Sequence, residues 1–248
     1  MPLVSHLKEL RRVILVCAAG LLVSATVAFL AFGDRLFSLL TAPITELSVP
    51  VIATRVSEAL FAKMSVALVA GFVLAFPLIV WQAGGFILPA LTAPERRLAL
   101  VLFPASLALF ACGVAFAYFV VFPLVVRFLL LVAGRGLLPM ITIREYLAFV
   151  MAFYAPFGLV FQMPLVVYFL CSLGLVSAKW LITKRKYAVL VIFVVAAVLT
   201  PGTDVISQVA MAIPMLLLYE VSTLMARFVE WRRARRAGSR RKPSSVEV

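Results

Sequence analysis

The chain has 248 residues, 65% of them hydrophobic and 13% charged, with a net charge of +13 and a mean hydropathy of +1.16. A water-soluble domain carries about 25% charged residues, so too little polar surface remains to cover a globule in water, and the solvent must be lipid. The positive charge does not point to nucleic acid, because the basic residues lie between long apolar runs and in one tail, where membrane orientation is encoded.

The first apolar run, Val13–Phe32, holds twenty residues without a charge and follows Lys8, Arg11 and Arg12. Cleavable signal regions span about 7–15 residues and a membrane helix about 20, so this segment is expected to stay as a span. Ahead of it, Leu3, Leu7 and Leu10 form a helical apolar stripe that predicts an interfacial lead-in helix. Further uncharged runs follow at Met64–Gly85, Leu98–Val126, Tyr146–Ala178, Tyr187–Thr203 and Val205–Tyr219. Backbone groups cannot go unpaired in hydrocarbon, and these runs are apolar on every face instead of alternating with period two. They predict helices, not barrel strands.

The third and fourth runs contain Pro104, Pro123, Pro156 and Pro164, each expected to bend its helix. The fifth is short: Tyr187 to Leu199 would rise about 20 Å against about 30 Å of hydrocarbon. Val205 to Tyr219, in the sixth, is also undersized. Such a pair must thin the bilayer, lean on longer neighbours or draw water inward, unless both simply extend into the interface. Long bent helices beside short ones predict an all-α, polytopic, six-span protein with a curved, concave arrangement. No internal repeat divides it, so residues 1–248 read as one membrane domain. Residues 232–248 are expected to be a disordered basic tail against anionic lipid.

Seventeen Lys and Arg fall before the first span, in the second and fourth connections and from Arg227 onward, against five on the other side. The positive-inside rule therefore predicts both termini in the cytoplasm. Trp81, Trp180 and Trp231 all sit at predicted cytoplasmic ends, where an amphipathic ring prefers the headgroup level.

The polar residues carry no motif for nucleotide hydrolysis and no credible Ser/His/Asp set. His6 is the only histidine, and Cys17, Cys112 and Cys171 lack metal-ligand spacing. The chain is expected to be no enzyme and to need no metal or cofactor. A secondary transporter would bury charges near the midplane, whereas here the acids gather toward the basic surface. Glu9 lies in His6-Leu7-Lys8-Glu9-Leu10-Arg11-Arg12 and Glu95 in Pro94-Glu95-Arg96-Arg97. From the residues alone each is either a solvated helix-end charge or a carboxylate offered at headgroup depth to a cationic partner. Within the spans, Gln162 and Gln208 are expected to seek partners across helices. Glu220 is expected to reach toward Arg227 and Lys63 to snorkel outward.

Six segments, in order, resemble the TatC family of the twin-arginine protein translocase. They are Ser5–Arg11, Thr41-Ala42-Pro43-Ile44, Phe86–Leu91 followed by Glu95-Arg96-Arg97, and Phe116–Pro123. The last two are Leu199-Thr200-Pro201 with Asp204, Ser207 and Gln208, and Ala212–Met215 with Tyr219-Glu220. The resemblance implies an inner-membrane receptor for the twin-arginine signal peptides of folded cargo, driven by the proton-motive force. The partners it implies are TatA/TatB-type single-span subunits and further copies of the chain. It also implies that Glu9 and Glu95 contact the paired arginines while His6, Arg11, Phe86 and Arg97 shape the surface. Pro43, Gln162, Asp204, Gln208 and Glu220 would line a cavity or meet a partner helix. Many family members carry glutamate where this chain has Gln162, which cannot titrate.

Overall fold

The computed structural model describes residues 3–45, 51–133, 141–199 and 205–240. In chain order the elements are helix α1 (Leu3–Thr45), strand β1 (Val51–Ile52), α2 (Val56–Ile87) and a 3-10 turn (Leu88–Ala90). Helix α3 (Ala93–Phe116), a π turn (Ala117–Val121) and α4 (Phe122–Ala133) follow as one rod. Then come β2 (Ile141–Thr142), α5 (Ile143–Val160), α6 (Met163–Leu173), α7 (Ala178–Thr183), α8 (Arg185–Leu199) and α9 (Val205–Arg240). The all-helical expectation misses one detail: β1 and β2 pair in parallel, Val51 with Ile141 and Ile52 with Thr142, tying two connections together.

Among the described residues, five helical stretches are long and apolar enough to cross a bilayer: His6–Ala42, Ser57–Ala90, Ala93–Phe128, Ile143–Leu173 and Val205–Arg235. The run expected to form the fifth of six spans gives α8, whose 15 residues rise only about 22 Å. The run expected to form a short last span does not stop at Tyr219. Helix α9 continues for 36 residues to Arg240, past Arg232, where the sequence reading starts its tail. Backbone hydrogen bonds do not require apolar side chains, so an uncharged run sets a minimum helix length and no maximum. Residues 241–248 lie outside the described residues.

Two of the four prolines expected to bend their helices coincide with interruptions. Pro123 has no N–H to give to the Phe119 carbonyl, and the ladder slips by one residue there, Phe122 N–H reaching the Ala117 carbonyl. Pro164 likewise cannot bond Val160, and the fourth run breaks into α5 and α6 at a turn over Phe161 and Gln162. Pro104 and Pro156 are carried inside α3 and α5. In α1, Pro43 leaves the Leu39 carbonyl without its helical donor, and the Tyr118 hydroxyl donates to it at 3.1 Å instead. Helix α6 ends on Gly174, whose φ of +82° suits a residue without Cβ, while Leu175 N–H closes onto the Leu170 carbonyl.

Helix α5 lies at the centre. It packs chiefly on α2 and α3, and its Tyr146, Leu147, Val150, Phe153 and Phe157 share one buried core with Val66 of α2, Phe122 and Val125 of α4, Ile192 and Ala196 of α8, and Met211 and Met215 of α9. Small residues allow close approach where aromatic groups cross: a Cβ on Gly158 would fall 2.5 Å from the Phe110 ring. The α1–α2 pair is built differently. A Cβ on Gly71 would lie 2.5 Å from the Ala25 Cα, so the two backbones nearly touch, as is common where lipid supplies no hydrophobic drive.

Candidate functional site

Helices α1 and α2 run antiparallel, which brings the start of α1 to the end of α2. There the His6 ring stacks on Phe86 with centroids 4.3 Å apart and planes 20° from parallel. One turn on, Glu9 Oε2 lies 4.0 Å from His6 Nδ1, both side chains about half exposed. Arg11 is also exposed. The sequence could place His6 and Glu9 on one helix face, but not Phe86 beside them.

Beyond Phe86 the chain passes through the 3-10 turn into α3. Thr92 caps that helix, and its N–H donates 2.8 Å to Glu95 Oε2 in a reciprocal capping box. This fixes the Glu95 carboxylate at the helix start, half-buried, while Arg96 and Arg97 are exposed. The end of the molecule that holds His6 and Phe86 is therefore an aromatic stack flanked by one carboxylate on α1, with a second ordered at the start of α3. Around them stand Lys8, Arg11, Arg12, Arg96 and Arg97. Among the described residues, no group of three or more His, Cys, Asp or Glu side chains is placed to hold a metal.

The second set of expected residues is more dispersed. The Gln162 carbonyl accepts from the Ser106 hydroxyl at 2.8 Å, and its amide donates to the Ser106 carbonyl at 3.0 Å, joining α3 to the α5–α6 turn. Gln208 donates to the Phe193 carbonyl at 3.0 Å, joining α9 to α8. Glu220 pairs with Arg185, not with Arg227 as expected. Arg227 lies two helical turns along α9, about 10 Å away by rise alone, whereas α8 runs alongside. Lys63, expected to snorkel outward, pairs with Asp34 at 2.5 Å. Pro43 lies within α1, and Asp204 falls outside the described residues.

Sequence reasoning missed the clamp on the connection around α7. Glu230 of α9 accepts from the Ala178 N–H at 2.8 Å, Tyr219 donates to the Leu181 carbonyl at 2.6 Å, and Arg233 donates to the Ser172 carbonyl. Glu230 was visible as an acid inside a basic stretch, but nothing in the spacing names its distant partner. A groove of about 430 Å³ lies between Phe29–Arg35 and Lys63. It sits about 40 Å along α1 from His6, so the His6–Phe86 end stands apart from it.

Comparison with known proteins agrees with the segments singled out above. The family model described as "Sec-independent protein translocase protein (TatC)" matches residues 5–214. The TatC of Carboxydothermus hydrogenoformans is 42% identical over 93% of this chain and 94% of its own. That of Escherichia coli K12 is 38% identical over 92% and 88%. A crystal structure titled as the twin-arginine translocase receptor TatC superposes with a TM-score of 0.82 at 37% identity, covering 91% of this chain and 99% of that one.

Proposed function

This chain belongs to the TatC family of Sec-independent protein translocases, and on that premise we propose that it is the subunit that receives twin-arginine signal peptides. The family consists of translocase components, not enzymes, and the apolar helices make this chain a multi-pass protein of the bacterial inner membrane. In the proposed arrangement α8 is a sixth, short crossing, and both termini and the His6–Phe86 surface face the cytoplasm.

The observation that carries the reading is the His6–Phe86 stack. It docks the start of α1 on the end of α2 and so sets Glu9 on the end of the molecule from which α3 and Glu95 begin. A guanidinium is always charged and presents two parallel N–H donors to a carboxylate, whereas an ammonium offers a point charge. Two carboxylates on separate helices therefore favour two adjacent arginines over two lysines. The surrounding Arg11 and Arg97 repel a cationic peptide that lacks those contacts, and the His6–Phe86 rings give its apolar side chains a platform. In this reading Gln162, Gln208 and Glu220 lie on the faces that meet TatA/TatB-type helices or a further copy of the chain. The passage for folded cargo forms with those partners, powered by the proton-motive force, since one chain of this size encloses no such pore.

The test isolates charge from helix capping. Glu95→Gln keeps a side chain that caps α3, and Glu95→Lys reverses the charge. Export of a twin-arginine reporter should fall at least about tenfold in Glu95→Lys and clearly in Glu95→Gln, because charge-assisted pairs are about twice as strong as neutral ones. Unchanged export by stably inserted Glu95→Lys protein would refute the receptor reading.

A further inference from the structure

The last turns of α9 carry a ladder that the receptor reading does not use. Phe228 and Trp231 stack with centroids 6.1 Å apart, Arg232 Cζ lies 4.8 Å over the Phe228 ring, and Arg235 Cζ lies 4.2 Å over the Trp231 ring. Both rings are about half exposed. The opposite face of the same turns is occupied: Ala226 and Val229 are buried, Glu230 caps α7 and Arg233 holds the Ser172 carbonyl. Among the described residues, neither Arg232 nor Arg235 makes an ion pair. Between Arg227 and Arg235 four arginines stand against one glutamate.

Depth and periodicity identify what this ladder meets. A helix that enters hydrocarbon at Val205 leaves it about 30 Å later, near Met225, so Phe228 and Trp231 fall at headgroup depth. Below them, on the same face at steps of three and four residues, Leu217, Val221 and Leu224 are exposed. The face thus reads, along α9, as an apolar track, two interfacial rings and two guanidinium groups held by cation–π contact. A guanidinium laid on a ring keeps its N–H edge free for two oxygens of a phosphate.

We propose that this face of α9 is a binding site for an anionic phospholipid of the phosphatidylglycerol class. The acyl chain lies along Leu217, Val221 and Leu224, the glycerol region sits against Phe228 and Trp231, and the phosphate takes N–H donors from Arg232 and Arg235. The assignment is independent of the signal-peptide reading and of which leaflet is involved.

The test uses the full chain with Trp81→Phe and Trp180→Phe, leaving Trp231 as its fluorophore in phosphatidylcholine bilayers. Acyl-brominated phosphatidylglycerol should half-quench it at a mole fraction about tenfold below that of brominated phosphatidylcholine, since basic groups near a surface each favour anionic lipid. In the Arg232→Gln/Arg235→Gln variant the two curves should coincide. Native mass spectrometry of the chain with its natural tryptophans should show retained phosphatidylglycerol that the double variant loses. Equal quenching by the two lipids, or a preference unchanged in the double variant, would overturn the site. So would a Trp231 response to soluble glycerophosphoglycerol as strong as the response to the lipid, because the acyl track would then be irrelevant.

Discussion

Along α1 and α2 the two helices are held by small contacts, with Gly71 against Ala25, Gly20 against Leu78, and one ion pair and one ring stack near the two ends. Around α5 the same task falls to large ones, with Phe122 touching Tyr146, Phe149, Phe153 and Tyr154 and the centre of the bundle almost wholly buried. Only 6% of the apolar window of α1 is buried, against 39% for α3, for α5–α6 and for α9. The proposed receptor surface grows from a pair that is closely apposed but largely open to lipid, and the largest fully buried side chains sit in the aromatic centre. Damage to one should therefore leave the other measurable.

Phe153→Ala should have the largest effect. Truncating a fully buried aromatic side chain costs about 3–5 kcal/mol, which should lower the thermal midpoint in detergent and reduce the amount of inserted protein. Gly71→Leu comes next. It forces two touching backbones apart at a cost of about 1–3 kcal/mol. Cross-linking between cysteines placed at positions 6 and 86 should be lost while the thermal midpoint of the remaining helices changes little. If that cross-link persists, close backbone contact does not position the α1 end. Gln162→Leu is the smallest. Interhelical polar contacts in membranes are worth about 0.6–2 kcal/mol, and the freed Ser106 hydroxyl can turn back on its own helix. A modest fall in the midpoint with export retained would mark the pair as glue between α3 and the α5–α6 turn; lost export at full stability would mark it as part of the working groove.

What the sequence made legible follows from what depends on local chemistry. Uncharged runs give helices wherever lipid forbids unpaired backbone, so Val13–Phe32 and Met64–Gly85 lie within α1 and α2. Proline removes a donor wherever it stands, so the irregularities at Pro123 and Pro164 were visible in advance. Glu9 and Glu95 stood out as acids in basic surroundings. Their supports did not, because the stack on Phe86 depends on how α1 meets α2, and the carboxylate hold at Thr92 depends on where α3 begins. Ser106, Arg185 and Glu230 went unnoticed for the same reason: each meets its partner at long chain separation, across helices whose order in space the residue pattern leaves open. The length of α9 was misjudged because charge ends an apolar run without ending a helix.

The Glu230 carboxylate on the Ala178 N–H bears on how the molecule matures. Ribosomes deliver α7 well before α9, so when the turn around Ala178 first reaches the bilayer its capping acid has not yet been translated. That connection acquires its settled shape only once the closing helix threads into place and reaches back across it. A ribosome stalled just before residue 230 should hold a chain whose earlier helices are inserted while the Ser172–Leu181 segment is still open to protease.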